Sequence, residues 1–464
     1  MTVLDPVVEA HLDATRETRL TSYLEFLRIP SISALPEHAG DIRRAAGWIA
    51  AELTRIGFEH VEISETAWHP VVYADWLHAD GAPTVLVYCH YDVQPVDPIE
   101  LWTTAPFEPF VRDGRVIGRG AADDKGQLHM HLRAAETLFA TRGRLPLNLR
   151  LLFEGEEEST SKSLPAWLEG NRGRLDADAV LISDTGFYEG NMPALTEALR
   201  GLLYVQIDVV GTPQDLHSGS FGGAVENPAN ALARIIAELK DRDGRILIPG
   251  FYDDVIELDG AARARLDSLS VDEREYRATI GAGPLQGEAG YSLLERKWFR
   301  PTLDVNGLWG GFQGIGEKTI IPAHAHAKVS MRLVANQDPL AILESLVAYT
   351  ARVCPPGVTA SIEMLGAAKP VWTPLDHPVT RAAAAAIEAT FGRPPVFIGA
   401  GGSIPVAVMF EERLGLPVVL MGFANPDDNA HAPNESMVLA NYETGIQAIC
   451  VLWDILGEME FATA

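Results

Sequence analysis

The sequence predicts an α/β protein: a domain with a mainly parallel central sheet flanked by helices, interrupted by an inserted α+β domain. Three observations carry this expectation. Within the first 200 residues, short apolar runs alternate with segments of helical period, the order produced by buried strands and crossover helices. After Arg200 the texture changes to a smaller set of strands and helices. Near Gly366 the first texture returns, so the expected domains are 1–200 with 367–464, and 201–366 between them. A length of 464 residues agrees with two or three domains at about 150 residues each.

Taken in order, residues 17–27 have helical apolar spacing and stop before Pro30, and 40–56 repeat that spacing up to Gly57. The run 84–88 is short and apolar, as a strand buried on both faces is. Residues 126–141 read as a helix, and 147–153 and 179–182 as strands. In the insertion, 203–210, 327–333 and 358–364 read as strands and 227–240 and 340–353 as helices, while 250–300 is charged and irregular. The closing elements are an alanine-rich helix over 379–391, a strand over 417–421 and a helix over 439–456.

Composition excludes several functions. The chain carries 63 acidic and 37 basic residues, a net charge of −26, which repels nucleic-acid phosphates and anionic membranes. A hydrophobic fraction of 47% argues against disorder. Cys89, Cys354 and Cys450 are too few and too widely spaced for a disulfide framework or a cysteine-type zinc site. No signal peptide is expected, nor any apolar run of about 18 residues that would cross a membrane. The expected location is the cytoplasm, with no nucleic-acid or membrane partner.

The chemistry-bearing residues sit at predicted strand ends. His90-Tyr91-Asp92 follows the first apolar run, and residues two apart in an extended segment face the same way, so Asp92 is placed to orient the His90 ring. Gly118 to Gly126 packs Asp123 and Asp124 into a glycine-rich turn before a helix. Glu156-Glu157-Glu158 follows the strand 147–153, where three adjacent carboxylates repel unless a cation compensates. Asp184 ends the strand 179–183, and His431 follows the strand 417–421 and its loop. Singly, each is ordinarily a loop pair, a solvated turn or a helix cap. Together, at the carboxyl ends of strands where open α/β sheets bind ligands, they form an oxygen-and-imidazole set suited to two zinc or manganese ions. There is no Gly-x-Ser-x-Gly elbow, and Glu317 spoils the phosphate-loop pattern at 311–319.

These motifs resemble the dinuclear zinc metallopeptidases that include carnosinase, cytosolic non-specific dipeptidase, succinyl-diaminopimelate desuccinylase and aminoacylase. The resemblance covers nearly the whole chain and rests on His90-Tyr91-Asp92-Val93, Gly118 to Gly126, Glu157-Glu158, Ser183-Asp184 and His431. Asp92-Val93-Gln94-Pro95, the stretch His217 to Gly223 and the stretch Ile248 to Asp253 are similar to the carnosinase and non-specific dipeptidase branch. The resemblance implies a catalytic domain interrupted by a lid and dimerisation domain, and a homodimer. It implies that His90 and Asp184 hold one metal, that Glu158 and His431 hold the other, that Asp123 bridges them, and that the Asp123–Asp124 peptide is cis. It further implies Glu157 as general base, Asp92 as the partner of His90, and His217 as an oxyanion donor supplied by the partner subunit. Arg332 matches the position that pairs with the substrate carboxylate, and Thr319, Gly402 and Ser403 match positions lining the same end.

The implied activity is hydrolysis of short peptides with a free C-terminal carboxylate by a water activated between two metals, with deacylation or desuccinylation of N-acyl amino acids as the alternative. Zinc is the expected metal, and manganese or cobalt would suit the same ligands. Three departures from the family pattern stand out: Cys89 and Thr160 replace glycines, and Gly399-Ala400 replaces a charged pair. Cys89 is expected in the core, and His129, His131, His324 and His326 are expected outside any metal site.

Overall fold

In the computed structural model, which describes residues 4–269, 271–402 and 404–459, the first helix starts well before its expected limit. Asp5 accepts a hydrogen bond from the Val7 amide at 2.9 Å, and Pro6, whose missing N–H costs nothing at a first turn, opens the helix Pro6–Leu27. The helix Ala39–Ile56 ends on Gly57 at φ 113°, and Lys125–Arg142 ends on Gly143 at φ 70°. These left-handed stops favour glycine, which has no Cβ to clash.

The chain divides into two units. The first comprises Met1–Glu197, Thr373–Ile398 and Pro405–Ala464, and the second Ala198–Trp372 with Gly399–Ile404. The sheet of the first unit has strands in the order Glu59–Ser64, Val71–Trp76, Asn148–Glu154, Thr84–His90, Ala179–Ile182, Val418–Leu420 and Ala194–Leu199. Its four central members run parallel, in a register that pairs Tyr88 with Leu152 and Ile182, and Leu420 with Ile182. Their carboxyl ends therefore lie along one edge. The antiparallel strands Glu59–Ser64 and Val71–Trp76 do not stand out in the sequence: the first is largely exposed and charged, and the second carries Asp75 within its apolar run.

Side-chain alternation decides what each central strand buries. Val85, Val87 and Cys89 enter the core together with Leu149, Leu151 and Phe153, against Leu128, Leu132, Ile449 and Trp453 of the covering helices. Full burial of each aliphatic side chain contributes about 1.5–3 kcal/mol. Cys89 is thus a core residue. His129 and His131 are also fully buried: His129 lies in a stack with Tyr23 and Tyr442, and His131 Nε2 meets Ser183 Oγ at 2.8 Å.

The second unit has an antiparallel sheet, in the order Thr302–Gly310, His324–Leu333, Gly201–Val210 and Thr359–Ala368. Leu203, Val205, Ile207 and Val209 face the helices Pro228–Glu238 and Pro339–Val353 and form a second core with Ala327, Val329 and Met331. The opposite face is half-open. There His326 Nδ1 meets Asp208 Oδ1 at 2.5 Å across the strands, and Trp309 stacks on His326 at 5.1 Å. No acidic residue adjoins His326 in sequence; strand pairing supplies one. The region 250–300, irregular by sequence, contains the helices Gly260–Ser268 and Glu273–Ile280, capped by Asp259 and Asp272. Among the described residues no helix is long and apolar enough to cross a membrane.

Candidate metal centre

The parallel register delivers His90, the last residue of Thr84–His90, beside the turn after Asn148–Glu154 and beside Asp184, two residues beyond Ala179–Ile182. His90, Glu157 and Asp184 offer ligand atoms within 4.8 Å of one another, and so do Asp123, Glu158 and His431. Asp123 connects the two groups. Its Oδ1 lies 3.0 Å from His90 Nε2, and its Oδ2 lies 2.8 Å from His431 Nε2. One carboxylate therefore presents one oxygen to each imidazole. His90 Nε2 is 3.7 Å from Asp184, and His431 Nε2 is 3.2 Å from Glu158.

Asp92 does more than its spacing predicts. Its backbone carbonyl meets His90 Nδ1 at 3.1 Å, and its Oδ1 stands 3.4 Å from the same nitrogen. The same carboxylate accepts the amides of Glu157 at 3.1 Å and Glu158 at 3.0 Å, which fixes the turn carrying both glutamates. Not all of the acidic run faces the site: Glu156 turns away, accepting the Ser163 amide at 3.0 Å. Glu154 accepts the Tyr88 hydroxyl at 2.6 Å and is pushed up to about 8 by burial. Thr160, in place of a glycine, holds φ 77°, a left-handed conformation costing of order 1 kcal/mol or more for a β-branched residue.

The electrostatics fit a cation-binding site. Burial, then the charge of Asp184, pushes Glu157 well above the ordinary carboxylate range. Burial and Asp123 raise Glu158 to about 7, and burial raises Asp184. Hydrogen bonds to Asp123 and Glu158 raise His431 to about 10, and those to Asp123, Asp184 and Asp92 raise His90 against its burial. Asp123 is held below the usual range by both imidazoles, despite its burial. The field that holds a proton on each imidazole is the field that binds divalent cations in their place. The donor set of histidine and carboxylate fits two such ions.

The glycine-rich turn positions Asp123, and the Asp123–Asp124 peptide is cis. A Cβ at Gly126 would stand 2.0 Å from the Ala121 carbonyl oxygen, so only glycine lets the helix start this close to the turn. The profile of peptidase family M20/M25/M40 matches residues 86–454. The chain belongs to this family. Cys-Gly metallodipeptidase dug1 of Schizosaccharomyces pombe is 33% identical over 463 residues, covering 96% of this chain and 97% of that protein. Human Beta-Ala-His dipeptidase is 32% identical, covering 81% of this chain and 75% of that protein. Among solved structures, the M20 metallo-carboxypeptidase Sso-CP2 of Sulfolobus solfataricus superposes with a TM-score of 0.81 at 34% identity, covering 95% and 99% of the two chains.

One feature of this M20 chain has no local signature in its sequence. Glu435 is fully buried and accepts four hydrogen bonds: from Arg119 Nη1, Gly120 N and Ala122 N at 2.9 Å, and from Asp123 N at 3.0 Å. A buried carboxylate is tolerated only when saturated in this way. Gln94 Nε2, which the sequence motif Asp92 to Pro95 includes without a role, donates to Glu158 at 2.6 Å.

The remaining expected residues lie in the second unit. Leu216–His217 pairs with Ile320–Ile321, and the Ser218 amide donates to the Thr319 carbonyl at 3.0 Å, so His217 and Thr319 are neighbours. The Gly219 amide donates to His217 Nδ1 at 3.0 Å, which leaves the neutral ring's proton on Nε2. Arg332 is half-buried on its strand, opposite Leu202 and Thr302. At Gly402 a Cβ would meet nothing within 4 Å; at Gly399 it would meet Trp298 Cβ at 2.4 Å, so Trp298 occupies the space a charged side chain there would need. Ser403 lies outside the described residues.

Proposed function

We propose that this M20 protein is a metal-dependent dipeptidase that hydrolyses short peptides with a free C-terminal carboxylate. The observation that carries this reading is Asp123, with one oxygen toward His90 and the other toward His431, beside a half-buried Glu157. The names of the relatives, which include Cys-Gly and Beta-Ala-His dipeptidases, favour a dipeptidase over a deacylase. His90 and Asp184 would hold one divalent cation, Glu158 and His431 the other, with Asp123 shared. Zinc is the first choice, with manganese and cobalt also compatible with the donor set. When bound, such a pair polarises the scissile carbonyl and lowers the pKa of water.

The chain's own residues do the rest. Glu157 takes the proton of the attacking water and returns it to the departing amine. Asp92 holds both the His90 ring and the Glu157–Glu158 turn. Glu435 and Arg119 hold the Asp123 turn from behind. Arg332 receives the C-terminal carboxylate, a task suited to a guanidinium fork, with Thr319, Gly402 and Ser403 lining that end. His217, protonated at Nε2, donates to the developing oxyanion.

The domain assignment belongs to the same proposal: residues 1–200 and 367–464 are catalytic, and 201–366 form the lid and dimerisation domain of a cytoplasmic homodimer in which His217 serves the partner's site. His217→Ala should lower kcat by about 10²-fold with metal content unchanged. Mixed dimers of Glu157→Ala and His217→Ala subunits should recover part of the activity; no recovery refutes the cross-subunit role. The reaction itself is tested by assaying dipeptides beside N-acetyl and N-succinyl amino acids and longer peptides. Turnover of dipeptides is expected, and turnover of the acylated compounds alone refutes the dipeptidase reading.

A further inference from the structure

A pocket of about 370 Å³ in the second unit collects positive charge in a chain whose net charge is −26. Its lining includes Arg200, Lys240, Arg296, Lys297 and Arg300 against two carboxylates, Glu288 and Asp304. Glu288 is committed: its oxygens take the Arg300 guanidinium at 2.8 and 2.9 Å. Lys240, Arg296 and Lys297 are each half-buried and, among the described residues, none has a carboxylate within 4.0 Å. Each is held by a neutral partner instead. Lys240 Nζ donates to the Leu303 carbonyl at 3.1 Å, Arg296 Nε donates to the Tyr291 carbonyl at 2.8 Å, and Lys297 Nζ stands 4.8 Å from the centre of the Tyr276 ring.

The backbone permits this crowding of cations. A Cβ on Gly287, at φ 150°, would lie 2.6 Å from Arg296 Cδ, and one on Gly244 would lie 2.5 Å from the Gly287 carbonyl oxygen. Ile280, Leu285 and Leu293 supply an apolar wall to the same pocket. Half-buried cations with no carboxylate in ion-pair contact repel one another, and an anion sharing the pocket offsets that repulsion. Lys240 and Lys297 act as point charges, and the Arg296 guanidinium, whose Nε is taken by the Tyr291 carbonyl, keeps its Nη groups for a second oxygen, an arrangement that meets the several oxygens of a phosphate. The volume is that of a small-molecule site.

We propose that this pocket binds a phosphorylated small molecule, with its phosphate on Lys240, Arg296 and Lys297 and its organic part on the apolar wall. The proposal does not depend on the peptidase reading, because none of the lining residues is one assigned above to metal, proton transfer or substrate.

Calorimetric titration of the intact protein with phenyl phosphate at fixed ionic strength tests it. The expected result is saturable binding of one molecule per chain, at least about tenfold tighter than phenylacetate and tighter than inorganic phosphate. Lys297→Gln, and Gln286→Glu at the exposed rim, should each weaken binding by about tenfold, the loss expected when a charge-assisted contact is removed or opposed. The ligand-free melting temperature should not fall, because each variant relieves repulsion among the cations. If Lys297→Gln fails to fold, Gln286→Glu decides alone. No saturable binding, binding that both variants leave intact, binding abolished by EDTA, or phenylacetate binding as tightly would each overturn the proposal.

Discussion

Glu157→Ala should lower kcat by about 10²- to 10⁴-fold, the range for loss of a positioned general base, while metal content stays at the wild-type level. The turn that carries Glu157 is fixed through its backbone, because Asp92 accepts the Glu157 and Glu158 amides. Truncating the side chain leaves that bond in place. Asp123, Glu158 and His431 are untouched as a group, and His90 keeps its approach to Asp123 and to Asp184. Glu157 nevertheless lies within ligand distance of His90 and Asp184, so elemental analysis decides between two roles. Retained metal with lost turnover marks a base; lost metal marks a ligand and refutes the assignment.

Asp123→Asn should cost at least about 10²-fold in metal affinity, exceeding the 10- to 100-fold typical of groups that only support a ligand, and should remove activity with it. The substitution is isosteric. The Asp123 amide still donates to Glu435 at 3.0 Å, so the turn should fold as before. What is lost is the negative charge shared between His90 and His431, which an amide cannot supply to two cations at once. Circular dichroism should be unchanged while chelator competition shows weaker binding. Wild-type affinity for both metal equivalents would show that Asp123 does not bridge.

Much of this was legible in the sequence, and the limit has a physical cause. The central strands could be read because each is a short apolar run, and the parallel register then brings their carboxyl ends together. That is why His90, Asp123, Glu158, Asp184 and His431 could be named from strand-end positions and a resemblance. Glu435 could not be given a role, because its partners are backbone amides more than 300 residues away in sequence. His326–Asp208 was hidden for the same reason: the pair exists only once two strands align. The strand Thr302–Gly310 has no sequence signature, because its exposed Asp304 and Asn306 and its glycines give no apolar alternation. By sequence the run Glu156 to Glu158 is one acidic cluster, whereas the turn splits it and sends Glu156 to Ser163.

The charge of the chain acquires a second meaning from the site. Of 63 acidic residues, Asp92, Asp123, Glu157, Glu158 and Asp184 gather around two imidazoles. Burial raises Glu157, Glu158 and Asp184 above their ordinary range, as uncompensated carboxylates must be. Divalent cations reverse that penalty. The acidic excess over the rest of the surface concerns solubility.

Stepwise return of Zn²⁺ to chelator-stripped protein, following hydrolysis of a dipeptide and bound metal in the same samples, decides whether a pair of metals carries the reaction. Hydrolysis should be absent without metal, rise with added ion and level off at about two equivalents per chain, the stoichiometry of a two-metal hydrolase. Full hydrolysis by the stripped protein, or a plateau at one equivalent with the second site never filling, would contradict it.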